Sequence, residues 1–274
     1  MTERIFSRDL LEARISDAVE KSRRGEVAGL PFLTPRERRA AERYLRMCGA
    51  WEQAWFWGGY HGAERACLFL LPDYLLACLE GERVPREDDA AVLALLEEDA
   101  ADAVQAVLVK GSGYRVLTHR DYLGSILALG LERDALGDIA VQNEREAVVF
   151  CPRRLQPFLI ENLCRIGSDS VRCAPYVPDA HFTDGRKYRP IHDTVASPRL
   201  DCVIAALTNL SRDGAQQVIR GGLVEVDFEP EERVDFVLTP PATISVRGHG
   251  RFILRAFDGE TRKGRLRLLA DQMI

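Results

Sequence analysis

The spacing of apolar and polar positions predicts short helices and short strands along the whole chain, with no long apolar run. Near the N-terminus, apolar residues repeat at helical spacing over residues 6–24. Thr34 and Glu37 form a capping box with proline at the first helical position, which predicts a helix over 37–48. Strand-like runs follow at 51–57 and 64–70. This pattern predicts an N-terminal α+β module over residues 1–84, with helices and a small sheet.

The middle of the chain carries strand and helix patterns in the order βαββαβ, as in ferredoxin-like and RRM-like domains. A polar segment at 81–89 is the predicted linker before it, and an acidic helix is predicted at 87–99. The predicted strands lie at 103–109, 139–141, 147–150 and 170–177, and the predicted helices at 121–131 and 152–166. We therefore expect an α+β central domain over residues 85–180. RRM domains stack bases on aromatic residues of the two central strands, where this sequence offers only Phe150, so we do not expect that mode of RNA reading.

The last third begins with two helix patterns and continues with strand patterns. Arg199 begins the first helix, Ser211 is the predicted N-cap of the second, and Gly221 follows its last residue. Strand-like runs are predicted at 223–226, 234–238, 243–246, 252–256 and 265–269. The pattern predicts two helices on a small curled sheet over residues 197–274. Residues 181–196 are the predicted linker between this domain and the central one.

Aromatic residues cluster in and around the predicted N-terminal hairpin, at Trp51, Trp55, Phe56, Trp57 and Tyr60. Their rings could stack splayed bases, but a small module also needs bulky residues for its core, and we favour the core. Strand alternation places Trp55 and Trp57 on one face and Phe56 on the other.

The overall composition is that of a globular protein, with 46% hydrophobic and 29% charged residues among 274. The charged N-terminus lacks the apolar region of a signal peptide, so we expect a cytoplasmic protein that does not span a membrane. Seven cysteines without a CxxC pair suggest neither a zinc site nor a disulfide framework. The spacing of His181, Asp184, His192 and Asp193 does not by itself bring them together as metal ligands, and histidine and aspartate in a loop are usually solvated. We therefore expect no metal or other cofactor.

Basic residues are concentrated near the C-terminus, although the formal net charge of the whole chain is −5. Between residues 247 and 267, seven arginines and lysines face two acidic residues. On the second helix, Arg212, Gln216 and Arg220 recur at four-residue intervals and could follow a phosphate backbone. The residues expected to contact RNA are Arg199, Ser211, Arg212, Gln216, Arg220, Arg247, Arg251, Arg255, Lys263 and Arg265, with His119, Arg120 and Arg189 as possible secondary contacts.

Two short central motifs favour structural roles. The string His119-Arg120-Asp121 is shared with kinase catalytic loops, but no glycine-rich phosphate loop or DFG string accompanies it. We interpret Asp121 as a residue that stabilises a helix N-terminus. Gly111-Ser112-Gly113 lacks the third glycine and the acidic partner of a nucleotide-binding loop.

The last third resembles the alpha-L RNA-binding domain of the S-four ribosomal protein, the Hsp-fifteen heat-shock protein, tyrosyl-tRNA synthetases and many pseudouridine synthases. The resemblance is carried by Arg199-Leu200-Asp201, Ser211-Arg212-Asp213-Gly214-Ala215-Gln216 and Gly222-Leu223-Val224-Glu225-Val226-Asp227. The sequence departs from the family pattern at Gly214 and Gln217, where basic residues are frequent, and at Asp227, where asparagine is usual. Pro240-Pro241-Ala242-Thr243 replaces a Gly-Asp turn.

With FWGGYHGAERACLFLLPDY and HRDYLGSILALGLERDALGDI upstream, nearly the whole chain resembles the YlmH family of bacterial RNA-binding proteins. The resemblance implies a non-enzymatic cytoplasmic factor that binds rRNA and tRNA on a large ribosomal subunit with an obstructed peptidyl-tRNA. There it would support C-terminal tailing of the stalled chain, and a link to cell division also belongs to the family. We expect a monomer that binds neither DNA nor membrane.

Two other functions stay open from the sequence. An RNA-modifying enzyme, such as a pseudouridine synthase or methyltransferase, could use an alpha-L domain for docking, and Asp121 is then the acid to test. A protein-interaction scaffold could instead bind a partner through Tyr60, His61 and the aromatic cluster.

Overall fold

The computed structural model describes residues 7–78, 92, 94, 96, 103–179 and 181–274. The chain divides into two compact units, Met1–Gly185 and Arg186–Ile274. The linker predicted at 81–89 lies outside the described residues, and so does most of the acidic helix predicted at 87–99. None of the described helices is long and apolar enough to cross a membrane.

The first unit contains the predicted helices and strands, together with a strand (Ala28–Leu33) and a short helix (Asp73–Cys78) that the sequence did not predict. Its first elements are α1 (Arg8–Arg23), β1 (Ala28–Leu33), α2 (Pro35–Met47), β2 (Ala54–Trp57), β3 (Ala66–Leu70) and α3 (Asp73–Cys78). The Thr34–Glu37 capping box is formed in both directions, with Glu37 N–H donating to Thr34 Oγ1 at 3.3 Å and Thr34 N–H donating to Glu37 Oε2 at 2.7 Å. These bonds satisfy N–H groups that the first turn of α2 cannot pair internally.

The N-terminal strands form an antiparallel sheet in the order β1-β3-β2 with both faces covered. One face, including Phe56 and Leu68, packs against α1 and α2. The other face, including Trp55 and Phe69, belongs to a separate apolar cluster. The predicted alternation of Trp55 and Phe56 is therefore confirmed, and both side chains are buried.

The central elements follow the predicted βαββαβ order with one additional short strand. They are β4 (Val104–Gly111), α4 (His119–Leu127), β5 (Ile139–Val141), β6 (Glu146–Pro152), α5 (Gln156–Asn162), β7 (Arg165–Ile166) and β8 (Asp169–Tyr176). Their antiparallel sheet has the order β5-β6-β4-β8-β7, so β4 lies in the middle. Alternate residues such as Val107, Val109 and Val149 pack beneath α4 and α5.

The opposite face of the central sheet packs against the N-terminal sheet. Its contributors Ala106, Val148 and Phe150 share a cluster with Phe32, Trp55, Tyr60 and Phe69. The ring centroids of Tyr60 and Phe150 are 4.8 Å apart. The predicted modules over 1–84 and 85–180 therefore share a core, and the one aromatic residue expected on the central strands is buried in it.

The second unit contains two helices packed on a six-stranded antiparallel sheet. Its elements are β9 (Tyr188–Val195), α6 (Leu200–Thr208), α7 (Arg212–Arg220), β10 (Val224–Val226), β11 (Glu229–Pro230), β12 (Ala242–Val246), β13 (Gly250–Glu260) and β14 (Leu266–Met273). The strand order is β11-β10-β12-β13-β14-β9. The core between helices and sheet includes Leu200, Ile204, Ile219, Ile244 and Phe252.

The prediction of a linker over 181–196 is wrong for most of its length. Tyr188–Val195 forms β9, which pairs with β14 from Tyr188↔Met273 to Val195↔Leu266. This strand lies at the edge of its sheet, where proline and charged residues are tolerated because one side of the strand is solvated. Pro190 and the charged residues around it therefore gave no strand pattern in the sequence.

The strand predicted at 234–238 is also wrong, apart from one bridge between Val237 and Arg199. The segment instead supports the start of α6, because the carbonyls of Phe236 and Val234 accept from Leu200 N–H at 2.8 Å and Asp201 N–H at 3.1 Å. Its apolar residues pack on the core without forming a ladder.

Asp227 stands where the family usually has asparagine, and it lies in a turn with positive φ angles, a conformation that asparagine and aspartate both adopt. Asp227 and Phe228 have φ angles of 51° and 68° and form the two-residue turn between β10 and β11. The Asp227 carboxylate accepts from Thr243 N–H at 2.8 Å. This substitution therefore leaves the local fold intact.

Candidate nucleic-acid interface

The buried carboxylate of Asp201 holds together the polar residues that begin the two C-terminal helices. Asp201 lies in the first turn of α6 and is 0% exposed. Its oxygens accept from Arg199 Nε at 3.2 Å, Arg212 Nε at 3.0 Å and Gln216 Nε2 at 3.1 Å. We call these four residues the Asp201 cluster.

The local sequence places each member of the Asp201 cluster. Ser211 caps α7 by accepting from Gly214 N–H at 3.1 Å. Arg212 and Gln216 are four residues apart on α7 and therefore share one face, which is directed at Asp201. On another side of the same helix, Ala215 and Ile219 are buried in the core. Packing of that apolar side thus sets the position of the polar side.

The hydrogen bonds of the cluster keep Asp201 ionised. Burial alone raises the pKa of this carboxyl, but hydrogen bonds from Arg199, Gln216 and Arg212 outweigh it and lower the pKa to about 2. The same contact with Asp201 raises the pKa of Arg199. Two guanidinium groups thus share one carboxylate, and the cluster carries a net positive charge at neutral pH.

The guanidinium groups of the cluster remain accessible. The side chains of Arg199 and Arg212 are 37% and 56% exposed, although both bind the fully buried Asp201. A guanidinium has five N–H donors, so these contacts leave donors that can bind an external acceptor. Because the Asp201 carboxylate already holds both guanidinium groups in place, binding of a phosphate has to immobilise fewer side-chain rotamers and loses less conformational entropy.

Arg220 and Arg247 lie towards the other end of α7. Arg220 is the last residue of that helix and is exposed, about 12 Å along the axis from Arg212. Arg247 is exposed in the turn after β12, where its N–H donates to the carbonyl of Leu223 at 2.9 Å. Leu223 follows Arg220 by three residues, so the Arg247 backbone lies close to the C-terminal end of α7.

The remaining predicted contacts do not lie on one surface with the Asp201 cluster. On β13, Phe252 and Leu254 are buried beneath the helices, so Arg251, which directly precedes Phe252, points to the opposite face of the sheet. Arg255 donates to Asp271 at 2.7 Å. Lys263 is exposed in the turn between β13 and β14, and Arg265 donates to Thr194 Oγ1 at 3.0 Å and to the Thr194 carbonyl. Strand alternation and the length of the hairpin separate residues that are close in sequence.

The possible secondary contacts are divided between the two units. His119 and Arg120 are exposed in the first turn of α4, whereas Arg189 lies on β9 and donates to Gln272. Asp121 accepts from Thr118 N–H at 2.9 Å, Thr118 Oγ1 at 2.6 Å and Arg115 at 2.6 Å. These hydrogen bonds, those from Thr118 above all, lower the pKa of Asp121. The acid considered for catalysis therefore caps a helix.

A second buried polar network, which the sequence analysis did not predict, joins the N-terminal and central sheets. Asp138 accepts from Tyr60 Oη at 2.8 Å, Glu64 N–H at 2.8 Å and Arg65 N–H at 3.2 Å. The Arg65 side chain donates to the carbonyls of Leu136 at 2.9 Å and Phe32 at 3.0 Å. Burial lowers the pKa of Arg65. Tyr60, Arg65 and Asp138 all belong to the two stretches that carry the YlmH resemblance.

Comparison with known proteins yields a family model, a relative from Bacillus subtilis and a solved structure to which this chain is similar. The family model described as "Putative RNA-binding domain in YlmH" matches residues 107–177. The "Ribosome-associated protein quality control protein P2" of Bacillus subtilis (strain 168) is 28% identical over 221 residues, which cover 78% of this chain and 75% of the relative. A solved structure described as "Cell division protein ylmH from Streptococcus pneumoniae" has a TM-score of 0.46 and 18% identity, covering 64% of this chain and 96% of that chain.

The family model matches the central domain, and the Bacillus relative extends the similarity over most of the chain. The resemblance found in the sequence motifs is confirmed by these matches. These matches support the interpretation that the chain is similar to the YlmH proteins, an RNA-binding family.

Proposed function

We propose that this protein is a non-enzymatic RNA-binding factor that binds rRNA or tRNA on the large ribosomal subunit. The observation that carries the proposal is the Asp201 cluster, in which a buried carboxylate orients two exposed guanidinium groups at the start of α6 and α7. Such groups match the geometry of phosphate oxygens. The N-terminus of α7 adds the favourable electrostatics of a helix end for an anion.

The proposed module for this contact is an alpha-L domain formed by residues 197–274, to which β9 adds an edge strand. Two of the three alpha-L motifs supply the Asp201 cluster, since Arg199 and Asp201 come from the first and Arg212 and Gln216 from the second. Arg220 and Arg247 then extend the proposed contact towards the far end of α7. Recognition through backbone phosphates and RNA shape follows from guanidinium groups fixed in this way.

The proposed process is ribosome-associated quality control of stalled peptidyl-tRNA complexes in the cytoplasm, with the protein acting as a monomer without a cofactor. The name of the Bacillus relative supports this assignment. The non-enzymatic part of the proposal is supported by the role of Asp121, whose carboxylate is occupied by Thr118 and Arg115. C-terminal tailing of the stalled chain is the output that we propose.

The experiment is co-sedimentation of the purified full-length protein with isolated large and small ribosomal subunits. We expect the wild type to migrate with large subunits and the Arg220→Glu variant to lose most of this association, because Arg220 is exposed and its reversal leaves the fold intact. Arg212→Gln is the second variant, since a glutamate there would oppose the buried Asp201. Arg23→Glu on α1 reverses an exposed charge in the other unit and serves as the matched control.

Co-migration that survives both substitutions would contradict the proposed site. Equal binding to small and large subunits would contradict the proposed target. Retained melting temperatures in Arg220→Glu and Arg212→Gln are required for either conclusion.

A further inference from the structure

We propose that the open end of the central sheet is a second RNA-contacting surface, which stacks an unpaired base on Tyr114 and binds phosphates through basic side chains. We call it the Tyr114 surface and define it by Lys110, Tyr114, Arg145, Arg165 and Arg172. The inference rests on the proposed function and deepens it, because it assigns an RNA contact to the central domain, apart from the Asp201 cluster.

The strand register places three of the basic residues on one face of the central sheet. Lys110 on β4 is paired in register with Arg172 on β8, and Arg165 on β7 is paired with Ser170 on β8. Their neighbours Val109, Val171 and Ile166 pack in the core beneath the helices. By alternation, Lys110, Arg165 and Arg172 therefore face away from α4 and α5.

The N-terminal sheet covers only part of this face. It packs on Ala106, Val148 and Phe150, whereas the Lys110 side chain is 56% exposed and Arg172 is exposed. In many βαββαβ domains, bases stack on the middle of the open sheet face. Here the middle of that face is buried, and the end of the sheet that carries Lys110 and Arg172 stays accessible. An RNA contact by this domain has to use that end or the loops around it.

Tyr114 supplies an aromatic ring beside these charges. It is 82% exposed, whereas Tyr74 and Tyr188, two other exposed tyrosines in the described part of the chain, are 54% and 38% exposed. Its N–H donates to Ser112 Oγ at 3.3 Å, and Ser112 N–H donates to the Ser170 carbonyl at 3.0 Å. Ser112 Oγ also donates to the buried Asp169. A ring on a loop held in this way can stack on a base with little further ordering of the backbone.

Arg145 lies against the same loop. A Cβ on Gly113 would be 2.8 Å from Cζ of Arg145, so the guanidinium lies directly against residue 113, whose φ of +87° favours glycine. The Gly111-Ser112-Gly113 string, too short for a nucleotide-binding loop, thereby acquires a packing role. It lets a guanidinium lie against the residue that precedes Tyr114.

The charges of the surface favour a polyanion. Lys110 is paired with Glu146 at 2.8 Å, whereas neither Arg165 nor Arg172 forms an ion pair within the described residues. Spaced arginines around an exposed aromatic ring suit a phosphate backbone with accessible bases better than an apolar partner. All five residues lie inside the segment 107–177 that matches the RNA-binding family model.

The test uses the full-length protein and fluorescence anisotropy with a labelled single-stranded oligouridine and a labelled blunt RNA duplex. Binding is measured in the wild type and in an Arg212→Gln/Arg220→Glu background, which weakens the Asp201 cluster. In that background, we expect Tyr114→Ala to weaken oligouridine binding by about 5- to 100-fold and duplex binding much less. Tyr114→Phe retains the ring and should bind like its parent.

The paired variant Arg165→Ala/Arg172→Ala should weaken both probes and flatten the salt dependence. Lys21→Ala/Arg23→Ala, two exposed positions on α1, is the matched control for a simple loss of two positive charges. Unchanged oligouridine binding in Tyr114→Ala would overturn the inference, and so would an equal loss for the duplex. If Tyr114→Ala has no effect while Arg220→Glu still abolishes association with large subunits, the proposed function stands and this second surface does not.

Discussion

The hydroxyl of Tyr60 donates to the buried carboxylate of Asp138 at 2.8 Å, although the two residues are 78 positions apart. The same carboxylate binds the N–H groups of Glu64 and Arg65. Asp138 thereby connects the turn after β2 with the approach to β5. This contact, together with the shared apolar core, joins the N-terminal and central elements within one compact unit.

Replacement of Asp138 by alanine should destabilise the protein strongly. The change leaves the Tyr60 hydroxyl and two buried or half-buried N–H groups without their acceptor, next to the buried Arg65. We expect a loss of about 3–5 kcal/mol in the free energy of unfolding of the first unit. Urea unfolding followed by tryptophan fluorescence measures it, since all three tryptophans lie in this unit. Glu132→Ala, an exposed position on the same stretch, should change it little.

Two glycines offer a matched test of the packing between the N-terminal and central sheets. Gly59 and Gly62 both have positive φ angles, +99° and +83°, so alanine strains the backbone at both. A Cβ at Gly59 would lie 2.3 Å from Phe150 Cδ1, whereas one at Gly62 meets nothing within 4 Å. Gly59→Ala should therefore cost about 1–3 kcal/mol more than Gly62→Ala. Equal melting temperatures for the two variants would contradict the described contact with Phe150.

The stability of the second unit should depend on pH through Asp201. Its pKa is lowered from 3.8 to about 2 in the folded state, so the folded protein binds this proton less readily than the unfolded chain. The stabilisation is complete above about pH 4 and is lost as the pH falls through about 2. The difference in unfolding free energy between wild type and Asp201→Asn should shrink by about 2 kcal/mol over that interval. Urea titrations at several pH values measure it, and a difference independent of pH would show that the carboxylate is not held by its partners.

Local signals in the sequence predicted much of the fold. The Thr34 capping box, the Ser211 cap and the βαββαβ order each depend on residues close in sequence. By contrast, β9 was missed because an edge strand accepts Pro190 and polar residues, and its pairing with β14 is set by the tertiary fold. The segment around Val234 reads as a strand from its apolar residues, yet its carbonyls pair with the start of α6.

The sequence predicted most residues of the candidate site, but it did not predict how they are arranged around Asp201. Helical spacing and the motifs predicted Arg199, Arg212 and Gln216, but no pattern in the sequence indicates that Asp201 accepts hydrogen bonds from all three. An aspartate in the first turn of a helix is usually expected at the surface, where its charge interacts favourably with the helix dipole. Its complete burial depends on the packing of α6 and α7, which no local pattern specifies.

The measurement that tests the central claim most directly is the salt dependence of binding to purified large-subunit rRNA, compared between the wild type and the Arg212→Gln/Arg220→Glu variant. If these side chains contact phosphates, the variant should bind more weakly, and its slope of log K against log salt should be smaller in magnitude by about 1–2. The Arg23→Glu control should keep the wild-type slope. An unchanged slope and affinity in a folded double variant would contradict the account, because the Asp201 cluster would then take no part in RNA binding.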